Sequence, residues 1–441
     1  MKTNLKPVAI IAIIALFALS WYSLFNSSIK TQFEYDNYIK VAREKAELGI
    51  LEDAEINYKS ALGLKDSLKL REEIAQFFYD NDKLGAYTSY LYEIIEIYPL
   101  EAVGYERLAA HFKETNNIYT SYKIMENTTK RNIKSEKLTN IYNELAYEYE
   151  LTYSSFPNIG IYSSGYYAAQ KEDGLWGYVS AYGNTKISYN FLEAGIFTSS
   201  GYAPVKTQQD IFVLITNSGN IKFVDAEKKE IEDCTPYISE KMAIKINGKY
   251  SYANNEFKIL FGEYDYAGSF YNGVAAVIDG GTWYIINEKG EKVGSETFNE
   301  IKVDDKGIAF RNDVAFAKQG DSYILIDKNG KRVSEDSWED AKAFSSDQPT
   351  AVKKDGKWGF VDPTGKEIMP PMYDDAKPFV NSLAAVQEKG KWGFADLEKK
   401  EVVISPAFDD ASDFTDNGST FVKIGDSWRL LKIFRLCYTN Q

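Results

Sequence analysis

A pattern built on one aromatic residue returns at near-constant spacing through the C-terminal part of this 441-residue chain, and no other feature constrains the fold as much. The marker residues are Trp176, Phe212, Tyr250, Trp283, Tyr323, Trp358, Trp392 and Trp428. Their mean step, about 36 residues, lies in the range of repeat architectures. Two positions after each marker stands a second large apolar residue: Tyr178, Leu214, Tyr252, Ile285, Leu325, Phe360, Phe394 and Leu430. That spacing puts both on one face of a strand. Ile244, Val277, Val352, Val386 and Val422 predict a strand just before. An Asp or Asn and then a Gly follow most markers, as in Asn287/Gly290, Asp327/Gly330 and Asp362/Gly365. This is hairpin chemistry, because Gly takes positive φ without penalty. Each unit ends on a second signature of an aromatic, acidic residues, an Ala and a Phe, as in Tyr373, Asp374, Asp375, Ala376 and Phe379, repeated as Phe408, Asp409, Asp410, Ala411 and Phe414. A unit therefore reads as about three strands plus a compact turn. A single unit cannot cover its own apolar face, so units must stack, as a propeller-like ring or an open β-solenoid. The tail 436–441 breaks the pattern and argues against closure by the last unit.

Residues 166–435, about seven full units plus a fragment, resemble the WG-repeat (KWG-repeat) family. Trp176-Gly177, Trp358-Gly359-Phe360 and Trp392-Gly393-Phe394 carry its signature, and the aromatic–acidic–Ala endings match its tail. The middle units lack the Gly: Phe212-Val213, Tyr250-Ser251, Trp283-Tyr284 and Tyr323-Ile324. If that Gly admits a neighbouring backbone, those units are expected to pack more loosely. The resemblance implies an interaction module with no established chemistry. Regular recurrence makes the marker rings a stacking core, each burial being worth roughly 1.5–3 kcal/mol. The acidic endings read as solvated turns rather than a cation ladder, and their spacing matches no calcium loop. One stretch, residues 280–290 with Trp283 and Tyr284, resembles the choline-binding cell-wall repeat, although that family's period is shorter. Trp283 and Tyr284 are accordingly the candidate ligand-binding pair, with a cell-wall glycan as the alternative partner.

The N-terminal part is different. Residues 7–25 are nearly continuous in apolar side chains and follow Lys2 and Lys6. About 19 residues at 1.5 Å each span the bilayer's hydrocarbon core. We expect a transmembrane signal anchor within residues 1–30, its tip cytoplasmic and the rest of the chain extracytoplasmic. A signal peptide cleaved after Ala18-Leu19-Ser20 is the competing reading. Residues 31–150 show helical periodicity and resemble tetratricopeptide repeats. Tyr38, Ala42, Gly49, Ala54, Tyr58 and Ala61 fit the first unit, Phe77, Asn81, Ala86 and Tyr90 the second, and Tyr105, Leu108, Ala109, Phe112, Asn116 and Ser121 the third. Asn81 and Asn116 stand where the turn between helices needs a left-handed residue. Gly49, Ala54, Ala61 and Ala86 are read as allowing close helix approach. The resemblance implies a concave face for a protein segment, or a stalk. A last helix is expected near 137–150 and a linker at 151–165, marked by Ser154, Ser155 and Pro157.

A net charge of −13 disfavours nucleic acid. Cys234 and Cys437 are the only cysteines, which excludes a disulfide scaffold. His111, the single histidine, lies beside Phe112 in a helical unit and is read as holding an aromatic position or a surface place rather than a catalytic one. No nucleophile motif or phosphate-cradling loop accompanies it. The expectation is a multidomain α and β chain: a transmembrane helix, a short α-solenoid and an all-β repeat array. It is read as binding protein partners at the cell envelope, with no cofactor, no metal and no enzymatic chemistry.

Overall fold

A computed structural model describes the backbone of residues 5–434, which form two compact units, Met1–Leu145 and Ala146–Gln441. Seven helices are described in the first: α1 (Leu5–Glu47), α2 (Leu51–Leu64), α3 (Leu68–Asp80), α4 (Leu84–Ile97), α5 (Ala102–Glu114), α6 (Ile118–Lys130) and α7 (Glu136–Leu145). The starts of α3, α5 and α7 are each 34 residues apart. Ser67 caps α3 by accepting from the Leu70 N–H, and Asn117 caps α6 by accepting from Thr120. Successive turns reverse through left-handed residues, Gly49 (φ +73°), Asp82 (φ +55°) and Asn116 (φ +58°). In the second turn the reversing residue is Asp82 rather than the expected Asn81. Asn81 keeps φ −106° and donates its amide to the Phe77 carbonyl at 2.8 Å. Ala54, Ala61, Ala75 and Ala109 are fully buried, which lets the helices approach. Gly49 meets only open space and serves the turn alone, while Ala86 is exposed. His111 is buried, edge-on to Tyr87 at 5.5 Å.

Residues 7–25 fall within α1, but apart from Trp21, Tyr22 and Phe25 their side chains lie outside the described residues, and the membrane-anchor expectation lies there with them. Among the described residues no helix is long and apolar enough to cross a membrane.

The second compact unit is all β. Each repeat has four antiparallel strands, called a to d in chain order, not three. In the seventh repeat, a is Asp375–Ala376, b Leu383–Glu388, c Lys391–Asp396 and d Glu401–Phe408. Strands b and c join through Lys389 and Gly390, both at positive φ (+51° and +78°), the two-residue turn that suits twisted strands. The aromatic–acidic–Ala signature is the corner where d of one repeat becomes a of the next. At one corner the chain does not break: Thr185–Ala194 serves as d of the first repeat and a of the second, merging them into a seven-stranded sheet. With the six four-stranded sheets this makes eight repeats.

Strand d of the eighth repeat comes from the opposite end of the unit. Tyr149–Phe156 pairs antiparallel with Ser427–Ile433, placing Phe156 opposite Trp428 as Tyr373 stands opposite Trp358. Apolar clusters fill the space between consecutive repeats, and one of them, Phe156, Tyr167, Ala169, Val179, Phe421 and Leu430, joins the eighth to the first. The array is therefore a closed ring and not an open solenoid. The stretch read as the end of a helix and a linker supplies its closing strand. Ser154 and Ser155 sit at a register shift in that strand, which interrupts its alternation and gives it the look of a loop.

Candidate interaction surfaces of the ring

The repeat's side chains are largely committed to one another. Trp358 and Trp392 are 5% and 7% exposed, in the apolar layers that follow their own repeats. Lys342 lies over the Trp358 ring at 4.6 Å and Lys377 over Trp392 at 5.0 Å. The same lysines reach the next repeat: Lys342 pairs with Asp375 at 3.5 Å, and Lys377 with Asp410 at 2.9 Å. Lys302, over Tyr323 at 4.5 Å, continues the row to Asp340 at 3.2 Å.

The acidic pair at each corner divides its work. The second acid accepts from the backbone N–H of the following Ala, as Asp340, Asp375 and Asp410 each do at 2.8 Å. The first acid ties two repeats together. Asp374 binds Lys357 of its own repeat and the Lys389 N–H of the next hairpin at 2.6 Å. Asp409 does the same with Lys391 and the Gly425 N–H at 2.7 Å. Lys357 and Lys391 hold these carboxyls below the usual range. These acids are hairpin clamps already engaged within the ring, which is why the signature demands them.

The Gly of the signature has an equally local cause. In all three Trp-Gly repeats, two steps along c face four along d: Trp176 and Tyr178 pair with Phe191 and Ile187, Trp358 and Phe360 with Tyr373 and Met369, Trp392 and Phe394 with Phe408 and Ile404. The extra residues bulge back over the Gly. A Cβ on Gly177 would meet the Ile187 oxygen at 2.6 Å, on Gly359 the Pro371 nitrogen at 2.6 Å, and on Gly393 the Ile404 oxygen at 2.4 Å. Repeats without the Gly change the bulge: Tyr250 and Tyr252 face Tyr264 and Phe261, while Trp283 and Ile285 face Phe298 and Val293. Burial of the marker does not track the Gly: Tyr250 and Trp283 are half-buried without it and Trp176 is half-buried with it, while Phe212 and Tyr323 are buried without it. The backbone that the Gly admits belongs to its own sheet, not to a neighbouring repeat.

Trp283 and Tyr284, the candidate ligand pair, are adjacent on one strand and face opposite ways. Trp283 packs toward the fifth repeat and Tyr284 toward the third, so they do not form one platform. Trp283 instead extends a half-buried row with Tyr266 at 5.2 Å and Tyr250, 6.0 Å further. Trp176 is likewise half-buried, beside Tyr178 and Phe197 in its cluster. Burial pushes the half-buried Cys234 thiol up; Cys437 lies outside the described residues.

Sequence reasoning missed the ring's axis. The a–b loop of the fifth repeat runs over residues 302–313, against 268–273 in the fourth and 377–382 in the seventh. The signal was available as the long step from Trp283 to Tyr323. Within this loop Asp304 accepts from the N–H groups of Lys306 (2.9 Å) and Ile308 (2.8 Å) and from Arg311 (2.9 Å). Burial raises the Asp304 pKa even so. Burial, then the neighbouring Arg311, lowers that of Lys306. Asp413, in the a–b loop of the eighth repeat, is pushed up to about 6, chiefly by burial, and it feels the charges of Lys377, Asp305, Lys306 and Asp304. Hydrogen bonds tie these a–b loops to their neighbours: Ser269 Oγ donates to the Lys306 carbonyl, Asn312 Nδ2 to the Ser346 carbonyl and Asn381 Nδ2 to the Phe414 carbonyl.

A closed ring of four-stranded antiparallel sheets is a β-propeller, a class that removes its sheet edges by radial repetition and presents loop-built faces. The profile of the family described as "WG containing repeat" matches residues 250–283, 358–392 and 392–428. No curated protein matches the sequence. Among solved structures, BamB from Moraxella catarrhalis is 12% identical, covering 64% of this chain and 100% of its own, with a TM-score of 0.41. The C-terminal WD40 domain of Sif2 is 10% identical, covering 64% and 98%, with a TM-score of 0.42. Kluyveromyces lactis Hsv2p is 10% identical, covering 56% and 91%, with a TM-score of 0.36.

Proposed function

We propose that the protein is a membrane-tethered scaffold whose helical repeats, of tetratricopeptide type, and WG-repeat propeller bind protein partners outside the membrane. It acts by binding rather than by catalysis. The observation that carries this reading is the internal use of the repeat's chemistry: marker rings, lysines and corner acids all serve contacts between repeats. What such a ring offers is shape and surface, the currency of interaction modules. The 34-residue spacing of the helix pairs matches the tetratricopeptide period. Helix α1 continues without a break from the apolar segment into the first helical hairpin, so an anchored chain would hold its repeats on a rigid stem. The test is affinity capture with residues 30–441 against envelope proteins, together with fractionation of the full chain. Failure to recover any envelope protein refutes the scaffold, and recovery of the full chain in the soluble fraction refutes the anchor.

One observation favours a second reading, a cell-wall glycan site. Tyr250, Tyr266 and Trp283 form the half-exposed aromatic row on the part of the ring where the Lys–Asp row is absent. Sedimentation with peptidoglycan that is lost in Trp283→Ala and kept in Trp392→Ala would support it.

A further inference from the structure

In the sixth and seventh repeats one lysine side chain makes two contacts. Lys342 covers the Trp358 indole and pairs with Asp375 of the next repeat, and Lys377 does the same with Trp392 and Asp410. The first repeat keeps the ring and the acid but not the lysine. Gly160 donates its N–H to the Ala168 carbonyl (2.8 Å), as Lys342 does to Ala351 and Lys377 to Ala385 (both 2.9 Å), so the three residues hold one position. Trp176 pairs with Phe191, two residues before Glu193, and Trp358 pairs with Tyr373, two before Asp375. Trp176 and Ala194, the residue after Glu193, pack on one apolar cluster, as Trp358 and Ala376 share another. Indole and carboxylate therefore stand in the same relation in both repeats. Under their lysines Trp358 and Trp392 are buried, whereas Trp176 is half-buried.

Neither conformation nor space requires a glycine at 160. It does not adopt positive φ, and a Cβ there would meet nothing closer than the Ala168 Cβ at 3.4 Å, an ordinary contact. In the other repeats without the lysine, the same place is closed or incomplete among the described residues. A Cβ on Gly195 would lie 2.7 Å from the Pro204 ring, and one on Gly268 would lie 2.6 Å from the Gly307 oxygen. In the third and eighth repeats the acid is replaced by Tyr266 and Asn158, two residues after the partners of Tyr250 and Trp428. What fits the place in the first repeat is shown by Lys342 and Lys377: an alkyl stem along the indole and an ammonium on the carboxylate. Glu193 remains available, because Lys206 lies 3.5 Å from it but only 2.7 Å from Asp210. The net charge of −13 favours a basic partner. We propose that the first repeat docks a lysine side chain of a protein partner, its stem on the Trp176 indole and its ammonium on Glu193. The scaffold reading supplies the class of occupant, and the repeat supplies the chemistry of its contact residue.

The probe is the capped tripeptide acetyl-Gly-Lys-Gly-amide, titrated calorimetrically and by ligand-observed NMR into the full chain, with the norleucine tripeptide and methylammonium as controls. Saturable binding of the lysine tripeptide is expected, with neither control binding comparably. Gly160→Lys gives the first repeat its own lysine, and should weaken binding by about tenfold or more while leaving the melting temperature unchanged or higher. Glu193→Gln should weaken it roughly threefold, the scale of an exposed ion pair. Equal binding of the norleucine tripeptide would mean an apolar patch, and equal binding of methylammonium a site for free cations; either result overturns the assignment. So does the absence of saturable binding, or full binding by Gly160→Lys. Should Gly160→Lys fail to fold, Glu193→Gln decides: undiminished binding rejects the site. The tripeptide binds or fails to bind whether or not envelope proteins are captured, so the two proposals fail independently.

Discussion

Gly393→Ala is the sharpest test of why the signature contains a Gly. The added Cβ would meet the Ile404 oxygen at 2.4 Å, the Pro406 nitrogen at 2.7 Å and the Ser405 carbon at 2.9 Å. All three are backbone atoms of a bulge pinned at both ends by strand pairing, so none can swing aside as a side-chain tip would. Overpacking of this kind costs typically 1–3 kcal/mol, and three backbone clashes place Gly393→Ala near the top, at about 3 kcal/mol. The control is Gly390→Ala, three residues away in the hairpin. It has φ +78° but open space around it, so only the left-handed conformation is penalised, about 1 kcal/mol. For a structure this large the difference, about 2 kcal/mol, separates the two unfolding temperatures by roughly 4–8 °C. Tryptophan fluorescence reads the ring selectively, because Trp21 is the one tryptophan outside it. If Gly393→Ala melts at or above the temperature of Gly390→Ala, the bulge does not require Gly and the explanation fails.

Other consequences follow from closure and from the axis. Phe156→Ala should cost about 3–5 kcal/mol, as for a buried Phe, and shift Trp428 emission; a change near zero would mean that the closing strand is dispensable. Asp413 has a folded pKa of about 6, above its unfolded value. The folded state therefore binds the proton more tightly, and its stability falls as pH rises from about 4 through 6. Asp413→Asn should abolish that decline, on the order of 1–3 kcal/mol, in urea titrations across this range, and an unchanged slope would refute the assignment. Asp374→Ala should lower the urea midpoint only slightly, because the ion pair with Lys357 and the Lys389 N–H both face water, which replaces the lost carboxylate; a fall as large as that of Phe156→Ala would refute this.

How much of this was legible depends on how local each cause is. The marker rings, the hairpin Gly residues and the acid–Ala corners recur because each solves a problem within one repeat or between two neighbours, and the solution is written at fixed spacing. Tyr149–Phe156 was illegible for the opposite reason. It completes a sheet whose other strands lie at the far end of the unit, and its register shift at Ser154 and Ser155 removes the alternation that marks a strand. The turn between α3 and α4 shows a smaller failure. Either Asn81 or Asp82 tolerates the left-handed conformation, and the choice fell to Asp82 because Asn81 uses its amide to satisfy the Phe77 carbonyl at the helix end.

The same distinction bears on where recognition can reside. The lysines and corner acids that recur in the later repeats are held by the architecture: Asp374, Asp409, Lys342 and Lys377 all have partners in an adjoining repeat, and a ligand that used them would have to break the ring's own bonds. Binding must therefore concentrate where a repeat departs from its neighbours. Two departures adjoin each other. The third and fourth repeats carry the aromatic row of Tyr250, Tyr266 and Trp283 where later repeats carry a lysine over the marker ring, and the fifth carries the inserted turn with Lys306. Tyr266 belongs to both, because its hydroxyl stands 3.6 Å from where a Gly307 Cβ would be. The middle repeats still bury an apolar layer on each side while leaving Tyr250, Tyr266 and Trp283 half-exposed, so their divergence builds surface.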